Sequence, residues 1–72
     1  MFELEIATYN REKARLFVEG EGKYVVIYNG EILGIWDTYE DAIQDGYSRC
    51  GLTPFLVKQI LYDKPLHKFY HY

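Results

Sequence analysis

One stretch of this chain, from Gly22 to Ile60, constrains the fold more than the rest of the 72 residues together. It opens with two short apolar runs, KYVVIY and EILGIW, which are separated only by Asn29 and Gly30. Asparagine and glycine tolerate the positive φ angles that a type I′ turn requires, and this turn matches the twist of two antiparallel strands. The sequence therefore predicts a β-hairpin with a two-residue turn.

Both faces of the predicted hairpin carry apolar side chains. Strict alternation along the first strand places Tyr24, Val26 and Tyr28 on one face and Val25 and Ile27 on the other. Alternation along the second strand separates Ile32, Gly34 and Trp36 from Leu33 and Ile35. A sheet that is apolar on both faces needs cover on both. Either the first helix of the chain covers the second face, or a partner protein does.

A helix is predicted from Tyr39 to Cys50. Thr38 precedes it and Asp41 follows three residues later, a near-match to the capping box that satisfies unpaired amides at a helix start. Gly51 is the expected stop. One apolar face is predicted, made of Tyr39, Ala42, Ile43, Gly46, Tyr47 and Cys50. On that face Gly46 has no side chain, so we expect the helix to approach the sheet closely there.

The segments on either side of this region are predicted from their periodicity. Phe2 to Glu19 has apolar residues at helical steps, although the alternation in FELEI also fits a strand, and Asn10 could delay the helix start. PFLVKQIL, residues 54–61, predicts a strand. Pro65 breaks the tail that follows, and the alternation of residues 66–71 predicts a possible fourth, edge strand.

These elements predict a single small two-layer α+β domain over residues 1–72, in the order helix, strand, strand, helix, strand, with a mostly antiparallel sheet. The most apolar strand, KYVVIY, is expected in the centre, which makes every pairing antiparallel. The alternative places the third strand beside the second, and those two strands then run parallel.

Composition limits the classes of function. The chain has eleven acidic and eight basic residues and a net charge of −3, so we expect no nucleic-acid partner. A single cysteine allows no intrachain disulfide, which fits a reducing compartment. No apolar run approaches the roughly 20 residues of a membrane span. The first residues lack the pattern of a signal peptide, so a cytoplasmic location is expected.

No group of residues has the pattern of a catalytic, cofactor or metal site. His67 and His71 lie four apart, but Pro65 argues against a helix that would aim both at one metal ion. Cys50 falls on the apolar helix face and is expected to be a buried thiol rather than a nucleophile. Asp45 and the acids at the start of the second helix could form a hydrolase pair, although acids at a helix start favour the helix dipole. We therefore expect neither an enzyme nor a cofactor.

The run GKYVVIYNGEILGIWDTYEDAIQDGYSRCGLTPFLVKQI resembles a family of short bacterial proteins of uncharacterised activity. Their pattern has a G-K-Y/F-V hairpin, a D-T-Y-E-D-A helix start and a PFLVKQI strand. This resemblance covers more than half of the chain, and it implies the fold and a bacterial source but no activity. The helix start is also similar to that of HicB-type antitoxins, although their Pro-Gly-Cys loop and DNA-binding extension are missing.

The sequence predicts a small protein-binding or accessory module that docks on a larger protein or on a second copy of itself. The reason is that a chain this short carries more apolar surface than it can bury, and its tail is rich in aromatic residues. Phe69, Tyr70 and Tyr72 are the expected partner-binding anchors, because aromatic side chains dominate interface energies. The alternatives are a small enzyme or enzyme subunit with an unrecognised site, and an antitoxin-like or inhibitory protein.

Overall fold

The computed structural model describes residues 1–61, which form two helices and three strands. The elements are α1 Glu3–Gly20, β1 Tyr24–Tyr28, β2 Glu31–Trp36, α2 Tyr39–Cys50 and β3 Leu56–Gln59. The strand order is β2-β1-β3, and both pairings are antiparallel. The predicted α+β class, the element order and the central position of the first strand are therefore confirmed. The predicted fourth strand lies outside the described residues.

The hairpin turn forms as predicted. Tyr28 pairs with Glu31, so only Asn29 and Gly30 connect β1 to β2. Their φ angles are 52° and 81°, the positive values that a type I′ turn requires. The Thr8 hydroxyl of α1 shares its one proton between the Leu4 carbonyl oxygen at 2.8 Å and the Gly30 carbonyl oxygen at 3.2 Å, and the second contact connects the turn to the first helix.

A β-bulge interrupts the alternation along β2. Val26 pairs with Gly34, but the next residue, Ile27, pairs with Ile32, so Leu33 is an extra residue on β2. An extra residue shifts the side chains on one side of it to the opposite face. Ile32 therefore shares a face with Ile35, and the prediction that grouped it with Gly34 and Trp36 was wrong.

The two helices cover opposite faces of the sheet. On one face, Tyr9 and Leu16 of α1 pack with Val25, Ile27 and Ile60 in a buried apolar cluster. Ile32, Ile35 and Leu56 border this cluster. The sequence left two candidates to cover this face of the sheet, the first helix or a partner protein. In the structure, α1 covers it.

Helix α2 lies over the other face of the sheet. Its Tyr39 ring contacts the Tyr24 ring edge-on, with centroids 5.8 Å apart. Its Ala42 is fully buried, as is Val26 beneath it on the sheet. The sequence predicted two layers; with a helix on each face, the sheet is the middle of three.

Helix α1 begins and ends one residue later than predicted, and the FELEI strand does not form. Its buried residues are Thr8, Tyr9, Leu16 and Gly20. Ile6 is one of the apolar residues at helical steps in this segment. It is nevertheless 50% exposed, because α1 packs mainly against β1 and β2 and covers little of β3.

Helix α2 has the predicted bounds, and its ends have the predicted chemistry. The Asp41 backbone N–H donates to the Thr38 hydroxyl at 3.1 Å, and Gly51 has a φ of 63°. A Cβ built at Gly46 would overlap the ring of Phe55, the residue before β3, so the close contact that glycine permits is with this side chain. The buried stripe is narrower than predicted, because Tyr39 and Tyr47 are more than half exposed.

Candidate functional site

The outer side of β3 is an open sheet edge in the part of the chain that the structure describes. Strand β3 pairs with β1 along one side, and no other strand within residues 1–61 pairs with its second side. An open edge presents unpaired N–H and C=O groups that can bind an extended segment. This edge is therefore the first element of a candidate docking site.

The backbone groups that face outward on β3 can be identified from the ladder. Ile60 donates its N–H to the Lys23 carbonyl and accepts the Gly22 N–H, so its backbone groups point toward β1. Because these groups alternate along an antiparallel strand, those of Val57 and Gln59 point to the outer side. The Tyr9 hydroxyl lies 3.5 Å from the Gln59 carbonyl oxygen and donates a hydrogen bond to it.

A groove, called here the α1 groove, lies between α1 and β3. Its volume is about 340 Å³, and it is lined by Ile6, Tyr9, Asn10, Lys13, Leu56, Lys58 and Leu61. Ile6 and Leu61 are about half exposed there. The Lys58 ammonium group lies 5.1 Å from the centroid of the Tyr9 ring, a cation–π distance that holds the lysine at the rim.

A second groove, the α2 groove, lies on the opposite face of β3. Its volume is about 440 Å³, and aromatic side chains from three parts of the chain line it: Phe2 before α1, Tyr39 and Tyr47 on α2, and Phe55 before β3. The Tyr47 and Phe55 rings meet edge-on with centroids 5.3 Å apart. Leu52 at the rim is 99% exposed. Exposed aromatic groups of this kind are enriched at protein interfaces.

Strand β2, at the other edge, is closed by side chains. The Arg49 guanidinium group donates to the Leu33 carbonyl at 2.9 Å, at the bulge. Asp45 holds that arginine at 2.9 Å and accepts the Trp36 indole N–H at 3.3 Å. A bulge and a charged side chain on an edge are two of the devices by which proteins prevent strand addition.

The residues considered for chemistry from the sequence do not form a reactive site among those that the structure describes. Cys50 is half-buried, which corrects the prediction of a buried thiol. Asp45 belongs to the network with Arg49 and Trp36 instead of an acid pair. Within residues 1–61, no group of three histidine, cysteine, aspartate or glutamate side chains could hold a metal ion.

The shifted carboxylates are exposed ones on α1. Hydrogen bonds from the Arg15 and Arg11 guanidinium groups lower the pKa of Glu12 below its ordinary value, and the N-terminal amine does the same for Glu3. Ion pairs in solvent explain both shifts, so neither marks a catalytic acid or base.

The predicted anchors Phe69, Tyr70 and Tyr72, and the two histidines His67 and His71, lie outside the described residues. Sequence reasoning missed Ile6, Tyr47 and Leu61 as surface residues. It assigned Ile6 and Tyr47 to buried helical stripes. Those stripes are longer than a three-stranded sheet is wide, which was a usable signal that part of each would be exposed.

Comparison with known proteins adds no assignment: no family model matches the chain, and no curated protein or solved structure matches it significantly. None of the helices within residues 1–61 is both long enough and apolar enough to cross a membrane. The resemblance to short bacterial proteins stays a prediction.

Proposed function

We propose that this domain is a small protein-binding module without catalysis of its own, which docks on a larger protein through the outer edge of β3. The observation that supports the proposal is the pairing of an open strand edge with a groove on each of its two faces, each lined in part by apolar side chains. A cytoplasmic, bacterial setting belongs to the same proposal, on the basis of the single cysteine and the resemblance of the hairpin region.

The mode of binding is strand addition. An extended segment of the partner would form backbone hydrogen bonds with Val57 and Gln59, which supply affinity. Successive side chains of that segment point to opposite faces, so they would enter the α1 groove and the α2 groove in turn. The partner segment is therefore expected to have apolar or aromatic residues at neighbouring positions, since each groove takes every second one.

A proline substitution in β3 tests this mode of binding. Val57→Pro removes an outward N–H and leaves the ladder with β1 intact, because inward N–H groups come from Leu56, Lys58 and Ile60. Proline is tolerated at such positions of edge strands. Val57→Ala is the matched control, since it shortens the side chain and keeps the N–H.

The measurement is affinity purification of the tagged full chain from its native host, with bound proteins identified by mass spectrometry. Wild type and Val57→Ala are expected to retain the same partner, and Val57→Pro is expected to lose it while its circular dichroism spectrum stays native. Retention of that partner by a folded Val57→Pro variant contradicts docking through this edge.

A further inference from the structure

We propose that the partner segment that docks on β3 carries an acidic side chain opposite Lys58, with an aromatic side chain on each side of it in the sequence. The inference rests on the proposed function, because it names the chemistry of the segment that strand addition at this edge selects. It is drawn from a difference in charge between the α1 groove and the α2 groove, which flank β3 on its two faces.

The α1 groove is basic. Two lysines line it, Lys13 from α1 and Lys58 from β3, and none of its lining residues within residues 1–61 is acidic. The chain as a whole has a net charge of −3, so this local excess of positive charge is opposite to the average of the molecule. A groove lined by charges of one sign attracts groups of the opposite sign.

Lys58 lies where an added strand comes closest. It pairs with Val25 of β1, and its backbone groups point inward, so toward a strand on the outer side it occupies a non-hydrogen-bonded position. Opposed Cα atoms at such positions are about 4.5 Å apart, and their side chains share a face. The Lys58 side chain is exposed, and its ammonium group lies 5.1 Å from the centroid of the Tyr9 ring. A carboxylate opposite Lys58 therefore meets the ammonium group on the α1 side of the sheet.

The α2 groove has the opposite character. Among the described residues that line it, none is charged and four are aromatic. Val57 lines this groove, and Gln59 shares its face by alternation. A charged partner residue opposite either one would lose water without meeting an opposite charge. Aromatic side chains are favoured at these two positions, because their rings stack edge-on with others.

A second copy of this chain does not match this pattern. Its β3 has the sequence LVKQ, which brings a lysine and no carboxylate to the basic groove. Antiparallel pairing of two β3 strands about Lys58 sets the two lysines opposite each other, and like charges at opposed positions are destabilising. Pairing about Val57 sets Lys58 opposite Leu56 instead. Charge complementarity therefore favours a different protein as the occupant.

Three synthetic peptides test the charge of the central position. They share the sequence Ser-Thr-Tyr-X-Phe-Val-Thr-Ser, in which X is Glu, Gln or Lys, and the labelled peptides are titrated with the full chain by fluorescence anisotropy. We expect the Glu peptide to bind about two- to fivefold more tightly than the Gln peptide and at least about fivefold more tightly than the Lys peptide. The net charge of −3 alone favours the reverse order, so this result would not come from the average charge of the protein.

A charge reversal at Lys58 tests whether this lysine selects the acid. Lys58→Glu is expected to bind the Lys peptide most tightly and the Glu peptide least tightly. Lys23→Glu is the matched control, because it changes the net charge equally and Lys23, whose ammonium group pairs with Asp37, lines neither groove. This control should keep the wild-type order. The wild-type order in a Lys58→Glu protein with a native circular dichroism spectrum would overturn the proposal.

The wild-type chain alone gives a second measurement, which does not depend on the folding of a variant. The Debye length falls from about 10 Å at 0.1 M salt to about 3 Å at 1 M salt. The ratio of the affinities for the Glu and Lys peptides is therefore expected to fall toward one over this range. A ratio that stays constant would mean that shape and not charge distinguishes the peptides, and it would refute the acidic position.

The outcomes also separate this inference from the proposed function. Equal affinities for the three peptides, all of them lost in Val57→Pro, contradict the acidic position and leave docking at β3 in place. Binding that persists in a folded Val57→Pro variant, or no binding up to about 1 mM, contradicts docking at this edge itself. Self-association of the full chain that Val57→Pro abolishes, with no peptide bound, assigns the edge to a second copy and overturns the proposal.

Discussion

Strands β2 and β3 flank β1 symmetrically in the sheet, but their outer sides are built from different kinds of residue. Beside β2, the bulge at Leu33 and the Arg49 hydrogen bond interrupt the edge, and the charged side chains of Arg11, Glu12 and Arg15 lie near its hairpin end. Beside β3, the pairing is regular, and apolar side chains form part of the lining of both neighbouring grooves.

The difference shows that the two edges of one small sheet can be treated in opposite ways, one blocked against strand addition and one left open. An edge that accepts strands is a hazard for aggregation unless it is blocked or has a designated occupant. This chain blocks one edge with an arginine–aspartate–tryptophan network. The other edge keeps the geometry that strand addition needs.

The largest expected effect comes from the contact that seats α2 beside β3. Gly46→Ala should destabilise the domain by about 1–3 kcal/mol, because the new Cβ overlaps the Phe55 ring and pushes β3 away. In a Phe55→Ala background the same substitution should become neutral or stabilising by up to about 1 kcal/mol, through helix propensity. Urea unfolding of the four proteins in a double-mutant cycle measures this coupling. Equal effects of Gly46→Ala in both backgrounds would show that the ring is not the obstacle.

The hairpin gives the next effect, on the β2 side. Gly30→Val forces a β-branched residue to a φ near 81° and brings its Cβ within 3.2 Å of Leu4. We expect a loss of about 1–2 kcal/mol. Asn29→Gly is the control, because glycine also adopts the positive φ of that position. An unchanged thermal midpoint for Gly30→Val would exclude the type I′ turn.

Opening the closed edge should have a smaller effect on stability. Arg49→Ala removes the hydrogen bond to the Leu33 carbonyl and the ion pair with Asp45, so we expect a loss of about 0.5–1.5 kcal/mol. Arg15→Ala is the matched control, because its partners Glu12 and Glu19 are in solvent, and exposed pairs contribute about 0–1 kcal/mol. Sedimentation of Arg49→Ala should also show new self-association, whereas a monomer at all concentrations would mean that the bulge alone blocks β2.

The smallest effect concerns pH. The pKa of Glu12 is lowered below its ordinary value of 4.5 by Arg15 and Arg11, so its ionised form is favoured in the folded state. That stabilisation is complete above the ordinary value and disappears as the pH falls through the lowered one. Glu12→Gln should therefore flatten the fall in thermal midpoint from about pH 5 to about pH 3. The same acid dependence in wild type and variant would show that these ion pairs contribute nothing to stability.

Much of the fold could be predicted because its signals are local. The Asn29-Gly30 turn and the Thr38–Gly51 limits of α2 each depend on residues close in sequence, and both agree with the structure. The bulge was missed because strict alternation of apolar residues hides one extra position. Gly34 was the available hint, since glycine inside a strand often marks a bulge.

The candidate docking surface could be predicted only in outline. An apolar excess was evident from composition, but its location depends on how far a helix about 10 Å wide covers a three-stranded sheet. Helix α1 packs mainly on β1 and β2, and this offset places Ile6, which the periodicity assigned to an apolar stripe, in the wall of a groove beside Leu61. No local pattern encodes such an offset, because it results from packing between distant segments.

The position of Trp36 has an optical consequence. It is the one tryptophan of the chain, and its indole N–H is bound to Asp45 beside β2, across the sheet from β3. We therefore expect its fluorescence to report unfolding of the domain and to change little when a segment binds at β3. The tyrosines of the α2 groove would change their emission on such binding. Excitation at two wavelengths can thus distinguish occupancy of the open edge from loss of the fold in a single titration.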